Sequence, residues 1–157
     1  MAGPLAGIRV IDVTIAVLGP VATQILGDMG AEVIKVETPD GDPMRQIGPA
    51  RHPGMAAYFL NLNRNKKSLV LDLKRPAAQQ AMHRLAATAD VFVHNMRPGA
   101  ATRLGIDYQA ISVANPRIVY AWASGYRADS AYRDRAAFDD VIQGESGLAA
   151  LNKGPDG

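Results

Sequence analysis

A chain of 157 residues can bury one substantial core, so a single domain is expected. With 48% hydrophobic and 20% charged residues it is not a disordered chain, and a net charge of +2 gives no bulk attraction to nucleic acid, so any phosphate ligand has to be held by a local cluster. The lack of cysteine excludes disulfides and thiolate metal sites and fits a cytoplasmic protein.

The start, MAGPLAG, lacks the basic residues and apolar core of a signal peptide, and the apolar run 10–26 is interrupted by Asp12, Gly19 and Pro20. A soluble protein without a membrane span is therefore expected. Residues 8–13 are rich in β-branched side chains and predict a strand. Residues 15–18 form an apolar loop, and Gly19-Pro20 opens a helix in which Val21, Ile25, Leu26 and Met29 recur at helical spacing. Gly30 stands where a left-handed cap is wanted, and 31–37 predicts a second strand. Strand, helix and strand within some thirty residues make a βαβ unit and imply a parallel sheet.

Residues 38–54, rich in proline and glycine, predict a long surface loop, and 55–62 a short helix. Arg64-Asn65-Lys66-Lys67 precedes a third strand over 68–73. This basic run is either a solvated turn or an anion-binding patch. Pro76 begins a helix with Ala78, Met82, Leu85 and Ala86 as its buried stripe, and 90–94 predicts a buried parallel strand. A short helix carrying Arg103 and Leu104, a second over 108–114, and a strand over 117–123 follow. Strands alternating with helices define an α/β fold, Rossmann-like, with a largely parallel sheet and helices on both faces. From Ser124 the chain becomes a charged loop in which Arg127, Arg133 and Arg135 alternate with aspartates. An apolar pattern over 141–148 predicts one more helix, and the turn-forming tail LNKGPDG reads as a fragment boundary.

Several motifs are missing. No G-x-G-x-x-G follows the first strand, so Glu37, although it ends the second strand as a ribose-binding acid would, is no dinucleotide fingerprint. There is no P-loop, H-E-x-x-H or G-x-S-x-G. His52, His83 and His94 are scattered and read as surface or structural residues, so no metal site is expected.

The blocks PLAGIRVIDVT, GPVATQILGDMGAEVIKVE with GDPMR, NRNKKSLVLDLK, DVFVHNMRPGAATRLGIDY, NPRIVYAWASGY and RDRAAFDDVIQGESGL together resemble the family III CoA-transferases, a group that includes α-methylacyl-CoA racemases. The resemblance runs from Pro4 to Leu148 and covers only the amino-terminal part of the family's length. It implies that residues 1–157 are a Rossmann-like domain that binds coenzyme A, in a protein that forms an interlocked homodimer. The family's CoA contacts fall on Val17 and Leu18, on Thr38, and on Leu71, Asp72, Leu73 and Lys74. They continue at Asn95, Met96 and Arg97, at Arg103, and at Ala136, Ala137, Phe138 and Asp139.

CoA needs cations for its phosphates and an apolar slot for adenine and pantetheine. Lys74, Arg97 and Arg103 can supply the charge, and Leu71, Leu73 and Met96 the walls. The resemblance also implies acyl-CoA and a free carboxylic acid as substrates, with an aspartate nucleophile that passes through a mixed anhydride and an enzyme–CoA thioester. That aspartate is expected downstream of this chain, which leaves Asp139 as a candidate accessory acid. Two departures bear on specificity. Val17 replaces a glutamine of formyl-CoA transferase-like members, which disfavours formate or oxalate. Phe138 replaces the proton-carrying histidine of the racemases, which disfavours racemisation. The alternatives are a CoA-binding module without turnover, a racemase-like enzyme, or a fragment that self-associates.

Overall fold

The computed structural model describes residues 3–151 and 154, so most of the tail 151–157 lies outside the described residues. Two compact units are present, 1–123 and 124–157. In the first, β1 (Arg9–Val13), α1 (Leu18–Asp28), β2 (Glu32–Glu37), α2 (Ala57–Leu62), β3 (Lys66–Val70), α3 (Pro76–Ala86), β4 (Val91–His94), α4 (Pro98–Arg103), α5 (Tyr108–Ala114) and β5 (Val119–Trp122) follow in order. All strand pairs are parallel, in the order β3-β2-β1-β4-β5. The second unit holds α6 (Asp139–Glu145) and α7 (Leu148–Leu151), separated by Gly147 at φ 76°, where a single helix over 141–148 was expected. Among the described residues no helix is long and apolar enough to cross a membrane.

Local chemistry accounts for the boundaries. The amide of Gly30, at φ 101°, donates to Gly27 and that of Ala31 to Leu26, which closes α1 with paired bonds around a left-handed residue. Pro76 stands at the start of α3, where its missing N–H costs nothing. The Asp107 carboxylate accepts from the Ala110 amide and starts α5. The stretch 38–54 is more ordered than a surface loop: it contains a 3₁₀ turn, Pro43–Gln46, whose N-cap Asp42 accepts from the Met44 amide.

Strand alternation gives the sheet two different faces. Ile11, Val13, Val36 and Phe92 point to one side and pack against Met82, Ala86, Ala101, Ile106 and Ile111 of α3, α4, α5 and their connections. On the other side Val10, Val33 and Val93 pack with Val91 and with Leu26 of α1, and the same face carries the buried charges Asp12 and Lys35. Asp12, fully buried, accepts from the Thr14 amide and hydroxyl, from Thr23 Oγ1 and from Lys66 Nζ at 2.9 Å. Lys66 Nζ also donates to Pro20 O and Asn63 Oδ1, so all three of its protons are engaged. Lys35, equally buried, donates to Thr14 O and forms an ion pair with Asp42 at 2.8 Å.

This layer corrects two expectations. β3 begins at Lys66, inside the basic run, because the lysine is consumed by a carboxylate on β1. The inward face of α1 is Gly19, Pro20, Thr23 and Gln24, while Ile25 and Met29 stay 51% and 39% exposed, because the helix has to present Thr23 to Asp12.

Replacing Asp12 by Ala leaves Lys66 buried without its counter-ion. A loss of about 3–5 kcal/mol in urea unfolding is expected, with a smaller loss for Asp12→Asn, whose amide oxygen can still accept. Asp12→Ala losing less than about 1 kcal/mol would contradict this reading.

Candidate functional site

In an open parallel sheet, ligands bind outside the carboxyl ends of the strands, where the strand order reverses. Here that point lies between β1 and β4. The chain leaves β1 through Thr14, Ile15, Ala16 and Val17 before α1 begins. Ile15 (47%) and Val17 (43%) of this stretch and Leu18 (70%), the first residue of α1, expose apolar side chains. Ala16 has φ 67°, a left-handed conformation that costs an alanine about 1–2 kcal/mol. It is held there from both sides: Thr14 is locked by Asp12 and Lys35, and Ile15 is bonded at its N–H and its C=O by the amide of Asn95, at 3.1 and 2.9 Å. Gly19 is required beside this loop, since a Cβ there would lie 2.3 Å from Thr14 Cβ.

Asn95, Met96 and Arg97 leave β4 at the same edge. The side chain of Asn95 is engaged with Ile15, so this predicted contact orders the loop across the switch point. The backbone of Met96 is fixed at both ends: its N–H donates to His94 Nδ1 at 3.2 Å and its C=O accepts from Trp122 Nε1 at 2.9 Å. The side chain of Met96 packs partly against the core, and Arg97 is exposed.

Beyond β3 the predicted segment 71–74 divides. Leu73, expected as a slot wall, is 7% exposed and belongs to the core, because β3 ends earlier than predicted and the following turn points this side chain inward. Leu71 and Asp72 instead line an open groove of about 530 Å³ with Pro39, Val70, Arg75 and Ala78. Thr38 borders an adjoining concavity of about 300 Å³. Asp72 is bonded to the Lys74 amide and paired with Arg75 at 3.2 Å. The Gln79 amide donates to Leu73 O at 2.9 Å and to Arg103 O at 3.4 Å, which draws Lys74 and Arg103 into one neighbourhood.

The cations divide into two groups. Arg64 pairs with Asp28, Lys66 with Asp12 and Lys67 with Glu32, so the basic run 64–67 is no anion patch. Lys74, Arg97 and Arg103 are exposed, and among the described residues their side chains form no ion pair. Arg51, Arg84 and Arg117 are likewise exposed and form no ion pair among the described residues; Arg84 and Arg117 precede β4 and β5, and Arg51 lies in the long connection after β2.

Glu37 is also accounted for. Its two oxygens accept from Arg45 Nε and Nη2 at 2.7 Å each, from Ser68 Oγ at 2.8 Å and from the Asp42 amide at 2.9 Å. No acceptor capacity is left for a ribose hydroxyl. Burial pushes this carboxyl up, but the Arg45 fork, Ser68 and the Asp42 amide outweigh it and hold the pKa at about 2. Asp12 behaves alike: burial raises it, and Lys66, Lys35 and the two threonine hydroxyls bring it below the ordinary value.

In the second unit Ala136, Ala137, Phe138 and Asp139 are all exposed. Phe138 is the N-cap of α6, and Asp139 accepts from Gln143 in its first turn. Sequence reasoning missed Asp12, Lys35, Lys66, Gln79, His94 and Trp122. The one local signal was a charge inside each apolar strand, in VIDVT and VIKVE.

A five-stranded parallel sheet in this order, flanked by helices and with an exposed apolar loop after β1 and unpaired cations after β3 and β4, defines a Rossmann-like α/β protein. The family model for CoA-transferase family III matches residues 5–157, and the chain belongs to that family. It is 40% identical to the succinate–glutarate CoA-transferase of Agrobacterium fabrum over 98% of this chain and 40% of that protein. It is 39% identical to the acetyl-CoA:oxalate CoA-transferase of Acetobacter aceti over 99% of this chain and 40% of that protein. A crystal structure of a CaiB/BaiF family protein from Brucella suis superposes with a TM-score of 0.93 at 36% identity, over 100% of this chain and 43% of that one. The chain thus spans about two fifths of the length of these curated relatives.

The depressed pKa of Glu37 links to acid stability. Its contribution is fully present above 4.5, its ordinary value, and is lost as pH falls through about 2. Glu37→Gln is expected to remove about 2–4 kcal/mol at neutral pH and to flatten the acid unfolding profile in that window. A wild-type profile already flat there would contradict the assignment.

Proposed function

We propose that this chain supplies the CoA-binding part of a transferase that moves CoA from an acyl-CoA to a free carboxylic acid. The observation that carries the reading is the pairing, on one edge, of unneutralised Lys74, Arg97 and Arg103 with the exposed Ile15, Val17 and Leu18. CoA combines a pyrophosphate and a 3′-phosphate with an apolar arm, and these two groups of residues meet its two halves. Arg103 grips a phosphate through two parallel N–H bonds, and Lys74 adds a point charge beside it. The β1 loop covers the thioester end, and the turn 95–97 lines the other side of the crevice.

In the reaction, an aspartate carboxylate attacks the thioester carbonyl and displaces CoA thiolate, which leaves a mixed anhydride. The thiolate then attacks the aspartyl carbonyl of that anhydride, releases the first acid and forms an enzyme–CoA thioester; the second acid collects CoA by the reverse steps. The nucleophile belongs downstream of this chain. In accord with this, Asp12, Glu37, Asp42 and Asp72 are all engaged in ion pairs or hydrogen bonds. Asp139 serves as an accessory acid, Phe138 disfavours proton transfer at the α-carbon, and Val17 disfavours oxalate or formate as substrate. The whole enzyme acts as a homodimer.

Titration of CoA into the chain is expected to show binding that weakens as salt rises. Arg103→Ala and Lys74→Ala should each weaken it about tenfold, while Lys67→Ala leaves it unchanged. Absence of binding by the wild type would overturn the reading. Incubation with acyl-CoA, a free acid and hydroxylamine should give no transfer and no trapped enzyme ester; a trapped ester would place the nucleophile inside this chain.

A further inference from the structure

The last residue of β4, His94, lies outside every predicted contact, yet its ring is 2% exposed and both nitrogens are engaged. Nδ1 faces the Met96 N–H, and a backbone N–H can only donate, so Nδ1 must accept. Nε2 lies 2.6 Å from Tyr120 Oη, and that oxygen lies 2.8 Å from Ile106 O. A carbonyl can only accept, so the tyrosine proton points to Ile106 and Oη receives the proton carried by Nε2. One arrangement satisfies the whole chain: a neutral imidazole protonated at Nε2. A proton on Nδ1 would confront the Met96 N–H and break the bond that holds it.

We infer that His94 is a positioning residue for the CoA-facing turn 95–97, its neutral Nε2–H imidazole fixing the Met96 amide from one side while Trp122 fixes the Met96 carbonyl from the other. The inference rests on the CoA-binding reading above. The peptide on either side of Met96 is thereby set, and with it the directions in which Met96 and Arg97 leave the turn. Asn95, one residue earlier, transmits the same register to Ile15 across the switch point.

The surroundings keep the ring neutral. The ring of Tyr120 packs against it from β5, with Phe92 beside it on β4. Burial alone lowers the His94 pKa to about 4. Asp107, which accepts from the Ala110 amide at the start of α5, acts on Tyr120, whose phenol burial and Asp107 push up together. Tyr108 stacks edge-on against Tyr120. With a folded pKa below the ordinary 6.5, stability is complete above 6.5 and is lost as pH falls through about 4.

The test uses nitrogen-15 NMR of the ring and the Met96 amide, together with CoA titration at about pH 8, where an unperturbed histidine is neutral. Wild type should show the neutral Nε2–H pattern and retain it well below the ordinary histidine pKa. His94→Leu removes the acceptor; its Met96 amide should shift and its CoA affinity fall about tenfold. His94→Asn offers Oδ1 in place of Nδ1 and should restore the amide shift and bring affinity to within about threefold of wild type, a rescue that simple loss of packing would not give. An Nδ1–H ring, a ring that titrates normally, or a folded His94→Leu that binds CoA like wild type would overturn the inference. If wild type binds no CoA, the functional reading fails, and the positioning claim is decided on the Met96 amide: a shift in Leu reversed in Asn upholds it, and no shift removes it.

Discussion

One buried carboxylate organises the first unit. Asp12 lies at the centre of the sheet and gathers the Thr14 backbone, α1 through Thr23, and β3 through Lys66. Lys35 on β2 completes the group by holding Thr14 O. Charges at this depth are costly unless every donor and acceptor is matched, and here the three protons of Lys66 and both oxygens of Asp12 are occupied. Such a cluster adds little net stability over an apolar core of the same shape. Its effect is to define where the β1 loop leaves the sheet and at what angle α1 starts.

That definition reaches the carboxyl edge of the sheet. Thr14 is immobilised by the cluster, Ile15 by Asn95, and the residue between them and α1, Ala16, adopts a left-handed conformation that neighbouring bonds enforce. Gly19 allows the helix to approach within contact of Thr14. The glycine therefore serves packing between helix and loop, which explains why one glycine stands alone where a dinucleotide-binding fold would carry three. In the proposed reading, phosphate recognition falls to the cations after β3 and β4; Glu37 is an internal partner of Arg45.

Much of this fold was legible in the sequence. β1, α1 and β2 could be read because aliphatic runs and a glycine cap are local signals, and the helix over 108–114 because Asn115-Pro116 stops it. The start of β3 was not, because a lysine beside other cations looks solvated unless its partner, 54 positions away in sequence, is known. The inward face of α1 was misjudged for the same reason: hydrophobic spacing favours Ile25 and Met29, whereas a distant aspartate selects Thr23. Positions of the site came from the family resemblance, but their division of labour did not. Leu73 faces the core, Asn95 holds a loop, and Gln79 brings Lys74 near Arg103 through two carbonyls. Each of these depends on side-chain direction after a turn, which periodicity does not encode.

The central claim is that CoA binds along the carboxyl edge of this sheet. Mapping backbone amide shifts on addition of CoA tests it most directly. The account predicts perturbations concentrated at Val17, Leu18, Lys74, Met96 and Arg103, with the basic run 64–67 and Arg117 unmoved. Shifts confined to that run or to the amino edge of the sheet would contradict it.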